Sequence, residues 1–163
     1  MFSPNELNRV MRLKGHNRVE RFRPEHLERL DFQWWDEIAL DDPRVDYKKY
    51  LTAFAEAGTS WTGIGEGKVY ACWGIVPIWT GVGEAWLTCS KDISRKALPM
   101  HRGSKLFMEY AARKMKLHRV QVLVRADIVP LHKWISHLHF EHEATLKRYG
   151  PDMSDTELYR RLF

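Results

Sequence analysis

The spacing of apolar residues changes period along the chain, and each change predicts an element. Tyr47, Tyr50, Leu51, Phe54 and Ala55 fall at i, i+3, i+4, i+7 and i+8, which predicts a helix stopped by Gly58. The middle of the chain turns to period two. "TSWTGI" (residues 59–64) and "KVYACWGIVPIW" (68–79) read as strands joined by a tight "GEGK" turn. In the longer one, Val69, Ala71, Trp73 and Ile75 alternate with Tyr70, Cys72, Gly74 and Val76. Both sets are apolar, so the strand is expected to be covered on both faces. "TGVG" (80–83) makes the next turn and "EAWLTCS" (84–90) the next strand.

Helical period returns with Phe107, Ala111 and Met115 on one face and Lys105, Glu109, Arg113 and Lys116 on the other. "RVQVLVRA" (119–126) is a strand. Asp127 is expected to cap a short helix that has Pro130 in its first turn and Leu131, Ile135 and Leu138 as its buried stripe. From Phe140 the period is two again, and "TELYRRLF" (156–163) closes the chain as a last strand. Upstream, "RVERF" (18–22) reads as the first strand, and Pro24 opens a helix in "PEHLERL" (24–30). "DFQWWDEIALDDPRV" (31–45) shows no clear period and ends in turn chemistry at Asp42-Pro43; residues 1–17 stand as an N-terminal extension. The order β, α, α, β, β, β, α, β, α, β, β predicts one α/β domain over residues 1–163, a mixed central sheet with helices on both faces.

Composition narrows the class. A chain of 163 residues with 44% hydrophobic and 29% charged residues is large enough for a real core. Net charge is +5, which allows an anionic partner such as a phosphorylated cofactor, a nucleic acid or an acidic protein. A solvated basic surface accounts for so mild an excess equally well, and nucleic acid has no other support than charge and exposed aromatics. Cys72 and Cys89 both fall in strands, so a disulfide framework is not expected and a reducing cytoplasm fits. No apolar run approaches the roughly 18–20 residues that span a membrane.

"SHLHFEHE" (136–143), with His132 upstream, raises the question of a metal. Metal ligands must converge on one point. His132 and His137 are five apart on a helix and point apart, while His139 and His142 lie three apart on an extended chain and face opposite ways. A helix end followed by a strand is the reading, with no metal. "GIGEG" (63–67) lacks a following helix and reads as a hairpin turn. Trp34-Trp35 reads as core packing, with a lid over a substrate groove as the alternative.

That helix-to-strand seam carries a resemblance. "VQVLVRADIVPLHKWISHLHFEHEATLKRYGPD" resembles the second half of the GNAT superfamily of N-acetyltransferases, in which a leucine–glycine–phenylalanine junction precedes a strand that begins with glutamate. Here the junction is Leu138-His139-Phe140-Glu141, and "RFRPEHLERL" resembles the opening strand and helix of such proteins. The element order matches over residues 18–162, and "ATLKRYGPD…ELYRRL" is most similar to small GNAT-like proteins of tailed phages, some counted as internal virion proteins and others as acetyltransferases.

The resemblance implies a single GNAT-like domain binding acetyl-CoA and passing an acetyl group to an amine on a small molecule or a protein. It implies that Leu87, Thr88 and Cys89 offer free strand backbone to the pantetheine arm. It places the pyrophosphate on the turn into the third helix, where "SRKALPMHRGSKLF" offers Arg95, Lys96, Arg102, Gly103, Ser104 and Lys105, but only one of the family's glycines. Glu84, four residues before Thr88 and set among Trp73, Trp79 and Trp86, matches a catalytic glutamate of several members. The usual acid, a tyrosine five residues before the junction phenylalanine, is Ile135 here; Ser136 and Tyr149 are the available replacements. The usual asparagine at the start of that helix gives way to Asp127 or Ile128. These departures support an alternative, a catalytically degenerate GNAT-like phage protein that binds a phage or host protein partner. Its location would be the host cytoplasm or the virion.

Overall fold

Seven strands form one mixed sheet in the order β1-β2-β3-β4-β5-β7-β6 in the computed structural model, which describes residues 2–163. The strands are β1 (Arg18–Arg21), β2 (Thr59–Gly65), β3 (Lys68–Trp79), β4 (Val82–Cys89), β5 (Arg119–Arg125), β6 (Glu141–Leu146) and β7 (Thr156–Leu162). The helices are α1 (Pro4–Val10), α2 (Glu25–Glu28), α3 (Trp34–Leu40), α4 (Tyr47–Glu56), α5 (Ala97–Met115) and α6 (Val129–His137). All neighbouring strands are antiparallel except β4 and β5, which α5 connects as a parallel pair.

Period two in the central strands translates into two cores. Trp61 and Ile75 pack on one face with Leu7 of α1, Phe107 and Ala111 of α5, and Ile135 and Leu138 at α6. Ile64, Val69 and Cys72 pack on the other with Leu27 and Leu51 of α2 and α4. The expectation of a strand covered on both faces holds for β3. "GEGK" is the β2–β3 hairpin turn, with Glu66 and Gly67 both at positive φ, as a two-residue turn with the right twist requires.

Four boundaries differ from expectation. Residues 1–17 are no mere extension: Leu7 of α1 and Phe2, just before it, are buried in the first core. Its start is a capping box, Ser3 accepting from the Glu6 amide while the Glu6 carboxylate accepts from the Ser3 amide. A helix also forms in 34–40, where no period was legible, because most of it is only partly buried. Asp127 does not cap α6; its carboxylate holds Arg125 at 2.8 Å and Ile128 takes the cap position. Finally, α5 begins at Ala97, since Pro99 is tolerated in a first turn and a 3-10 turn (Lys91–Lys96) capped by Ser90 feeds into it. Arg102 to Lys105 therefore lie inside the helix rather than on the turn entering it.

Candidate active site

The site is organised by where β4 stops pairing with β5. Val82, Gly83, Glu84 and Ala85 pair with Arg119, Val120, Gln121 and Val122, and pairing ends there. Beyond it β5 continues along β7 and β4 along β3, so the two strands part. At the far end Ser90 donates to the Tyr70 carbonyl on the β3 side and is bridged by Phe32 on its other edge. Residues Trp86 to Cys89 thus present an unpaired edge between two paired ones.

Two cavities meet at this gap, sharing Ala85, Trp86, Leu87, Val122, Trp134 and Ile135 as walls. One is small, about 40 Å³, and runs between α5 and α6 past Ser104, Phe107 and Leu138. The other is a cleft of about 590 Å³ on the opposite side, under α3, α4 and the β6–β7 connection.

Alternation along β4 decides what faces the cleft. Glu84, Trp86 and Thr88 share one face. Glu84 accepts from Gln121 Nε2 at 2.9 Å and has no cationic partner among the described residues. Trp86 shares the cleft with it, but the other expected neighbours do not. Trp73 lies opposite Leu87 and packs on the α5 side, and Trp79 is 75% exposed at the hairpin tip.

At the other end of that face stands a carboxylate that the sequence reading did not single out. Asp36 of α3 is only 5% exposed. Its Oδ1 accepts from the Tyr47 hydroxyl at 2.7 Å and its Oδ2 from the Thr88 hydroxyl at 3.1 Å. Burial raises its pKa to about 6, against the lowering effect of those two hydroxyls. Gln33, donating to the Ser90 carbonyl at 2.9 Å, and Glu37, paired with Lys91 at 2.7 Å, dock α3 over the end of β4 and so hold Asp36 there.

The walls are aromatic. Tyr47, Tyr50 and Phe54 stack in succession along α4, with ring centroids 6.3 and 5.8 Å apart. Tyr149 comes from the β6–β7 connection, which Asp152 ties to Arg125 at 2.8 Å. Tyr50, Glu84 and Tyr149 all line this cleft, and the Tyr50 phenol has its pKa raised by burial first, then by Tyr149 and the Glu84 carboxylate. Trp35 lines the cleft and Trp34 is 48% exposed beside Arg125, its ring centroid 5.5 Å from the guanidinium carbon. Core packing of this pair is thus corrected: Trp35 is a cleft wall and Trp34 is an exposed ring against Arg125.

The expected cofactor residues are dispersed. Leu87 and Ser104 line the gap cavity. Thr88 is buried on Asp36, and Cys89 is a buried thiol pushed up to about 12 by burial. Arg102 donates to the Arg12 carbonyl at 3.0 Å, and Gly103 is buried where an added Cβ would lie 2.8 Å from Met11 Cε, so both serve the α1–α5 contact. Lys105 is exposed on α5. Lys96 turns to Glu66 at 3.3 Å and Arg95 lies 3.9 Å from Asp92. Of the replacement acids, Ser136 spends its hydroxyl on the His132 carbonyl at 2.9 Å, and Tyr149 stands in the cleft.

The histidines go separate ways. The two ring nitrogens of His132 face the Tyr159 hydroxyl at 2.9 Å and the Ala126 carbonyl at 3.0 Å, and His142 meets Glu157 at 2.5 Å. Among the described residues no three His, Cys, Asp or Glu side chains gather as a metal site would need.

No family model and no curated protein sequence matches the chain. Solved structures do. A GNAT-family acetyltransferase from Bacillus anthracis superposes with a TM-score of 0.68 at 13% identity, over 92% of this chain and 96% of that one. The fold is that of the GNAT acetyltransferases. The ribosomal-protein-S5-alanine acetyltransferase from Vibrio fischeri has a TM-score of 0.70 at 14% identity, over 92% and 94% of the two chains. RimL, a ribosomal L7/L12 alpha-N-protein acetyltransferase in complex with coenzyme A, has 0.67 at 11%, over 92% and 96%. Likeness at such identities establishes the GNAT fold and carries nothing about a tailed-phage subgroup.

Proposed function

We propose that the protein is an N-acyltransferase that accepts an acyl group from acyl-CoA, with acetyl-CoA as donor, and passes it to an amine held in the large cleft. The observation that carries this reading is the unpaired β4 edge from Trp86 to Cys89, open where two cavities meet. Strand backbone at Leu87, Thr88 and Cys89 suits an amide-bearing arm, which pairs with it as an added strand would. The small cavity beside Ser104 suits the arm's passage to the gap. Among the cations of the α5 side, exposed Arg95 and Lys105 are the proposed contacts for its phosphates, and Lys96 and Arg102 join them only by giving up Glu66 and the Arg12 carbonyl, while Gly103 stays buried against Met11. A protein of the same fold, RimL, holds coenzyme A.

Bound acyl-CoA supplies the acyl group as a thioester. Glu84 takes the proton that an ammonium must lose before its nitrogen can attack. Gln121 fixes that carboxylate by one amide hydrogen bond and leaves its other oxygen to the cleft. Tyr149, in the same cleft, gives a proton to the departing thiolate in place of the tyrosine that Ile135 replaces. The acceptor is an amine on a small molecule or on a protein.

The test is release of free CoA thiol from acetyl-CoA in the presence of amines and short peptides, with mass spectrometry of the products. Acylated product establishes the reading. CoA binding with no turnover on any amine points instead to the degenerate, partner-binding protein.

A further inference from the structure

We infer that the cleft is built for an acceptor with two cationic groups, a linear aliphatic di- or polyamine, and that Asp36 binds the ammonium that does not react. This rests on reading the cleft as the acyl-acceptor site and adds its specificity.

Three observations support it. First, the cleft holds two carboxylates that no cation among the described residues neutralises. Asp36 has only hydroxyl donors and Glu84 only an amide. The third acid of the walls, Asp42, is spoken for by Arg44 at 2.7 Å. Arg125 is the one Lys or Arg among the lining residues, and Asp127 and Asp152, each at 2.8 Å, consume its charge. A buried carboxylate without a counter-ion is costly unless a ligand brings the cation.

Second, the walls around these acids are Trp35, Tyr47, Tyr50, Phe54, Trp86 and Tyr149. Aromatic faces attract ammonium groups and pack against methylene chains, so this lining fits an aliphatic amine better than an anionic ligand. Burial raises the Asp36 pKa to about 6, which still leaves it ionised at neutral pH and able to hold a cation.

Third, the spacing is set by one strand. Thr88, which donates to Asp36, and Glu84 lie four residues apart on β4, or about 13 Å at a strand's rise. An amine at Glu84 and a second ammonium at Asp36 are therefore separated by on the order of a nanometre, the reach of a short polyamine rather than of a compact diamine.

The experiment measures binding without acyl-CoA, so its outcome is independent of turnover. Isothermal titration of the full chain with spermidine and with 1-aminobutane is expected to show spermidine binding tighter by about tenfold or more, the worth of one charge-assisted contact. Asp36→Asn, which retains hydrogen-bonding groups for Tyr47 and Thr88, is expected to erase that preference and leave 1-aminobutane unchanged. Glu84→Gln is expected to weaken both amines and keep the preference. Circular dichroism melts check that each variant is folded, and Thr88→Val supplies a second route to the same site. Equal binding of the two amines to the wild type overturns the inference, as does an undiminished preference in folded Asp36→Asn. Tighter binding of a lysine-containing peptide than of spermidine overturns the small-molecule assignment.

Discussion

Ala85 pairs with Val122, and it is the last residue of β4 to pair with β5. From that point the sheet opens into a passage whose two mouths lie on opposite faces. On the proposed reading, a donor arm would enter beside α5 and an acceptor would lie under α4, the two meeting at the shared walls Ala85, Trp86 and Leu87. Ser104 stands in the wall of the narrow side, half-buried, with about 40 Å³ beside it. Ser104→Trp fills that space from the helix surface. Calorimetric titration with CoA is expected to show affinity lowered by about tenfold or more, or roughly 1.4 kcal/mol. Amine binding in the large cleft should be unchanged.

Glu84 separates an enzyme from a remnant of one. Glu84→Gln keeps the shape and the Gln121 contact while removing the base, so turnover should fall by roughly 10²–10⁴ with CoA affinity intact. The pH–rate profile should also steepen toward alkaline pH, because the amine must then lose its proton to solvent. Rates measured from pH 6 to 10 on wild type and variant check both. Unchanged turnover would move the base elsewhere in the cleft.

The fold was largely legible because period carries it. Alternating apolar residues in β2, β3 and β4, and the i, i+3, i+4 stripe in α4, are local patterns that burial on two faces enforces. The site was legible only in part. The strand that carries Glu84 and the β4 edge was legible from its period, while the roles expected of them came only from the resemblance, and Asp36 lies in a segment whose period is blurred, because α3 has half-buried sides rather than one apolar face. Its partner Thr88 is 52 residues away, a separation no spacing rule reaches. The capping box at Ser3 and Glu6 was a readable signal for α1 that charge in the surrounding segment obscured. The start of α5 was misplaced because Pro99 reads as a break, although a first turn accepts it.

His139 shows what the junction demands of its middle residue. It follows α6 with φ of +65°, a left-handed conformation between buried Leu138 and Phe140. Glycine adopts this freely, whereas a side chain pays about 1 kcal/mol or more there. His139→Gly is expected to stabilise the protein by about 0.5–1 kcal/mol, less than the full strain because glycine also loosens the unfolded chain. Urea titration at constant pH reads this as a higher midpoint with the same slope. A lower midpoint would mean that the imidazole makes a contact worth more than the strain.

Asp36 should cost the fold stability at neutral pH, in the manner of a group retained for binding. Its pKa is about 6 in the folded chain against 3.8 for a free aspartate, so the folded state holds its proton more tightly than the unfolded one. The sign follows from linkage: stability is greatest while both states are protonated and falls as pH rises from about 4 through about 6. A shift of this size is worth about 3 kcal/mol once the carboxylate is fully ionised. His26 acts in the opposite direction, because its buried ring binds a proton less readily than in the unfolded chain, and a wild-type melting profile mixes the two. Subtraction removes the mixture. Asp36→Asn should match the wild type near pH 4 and exceed it increasingly up to about pH 7, after which the difference is flat. Denaturant titrations of both proteins at half-unit pH steps measure that difference directly. A difference that is constant with pH would show that Asp36 titrates alike in the folded and unfolded chains.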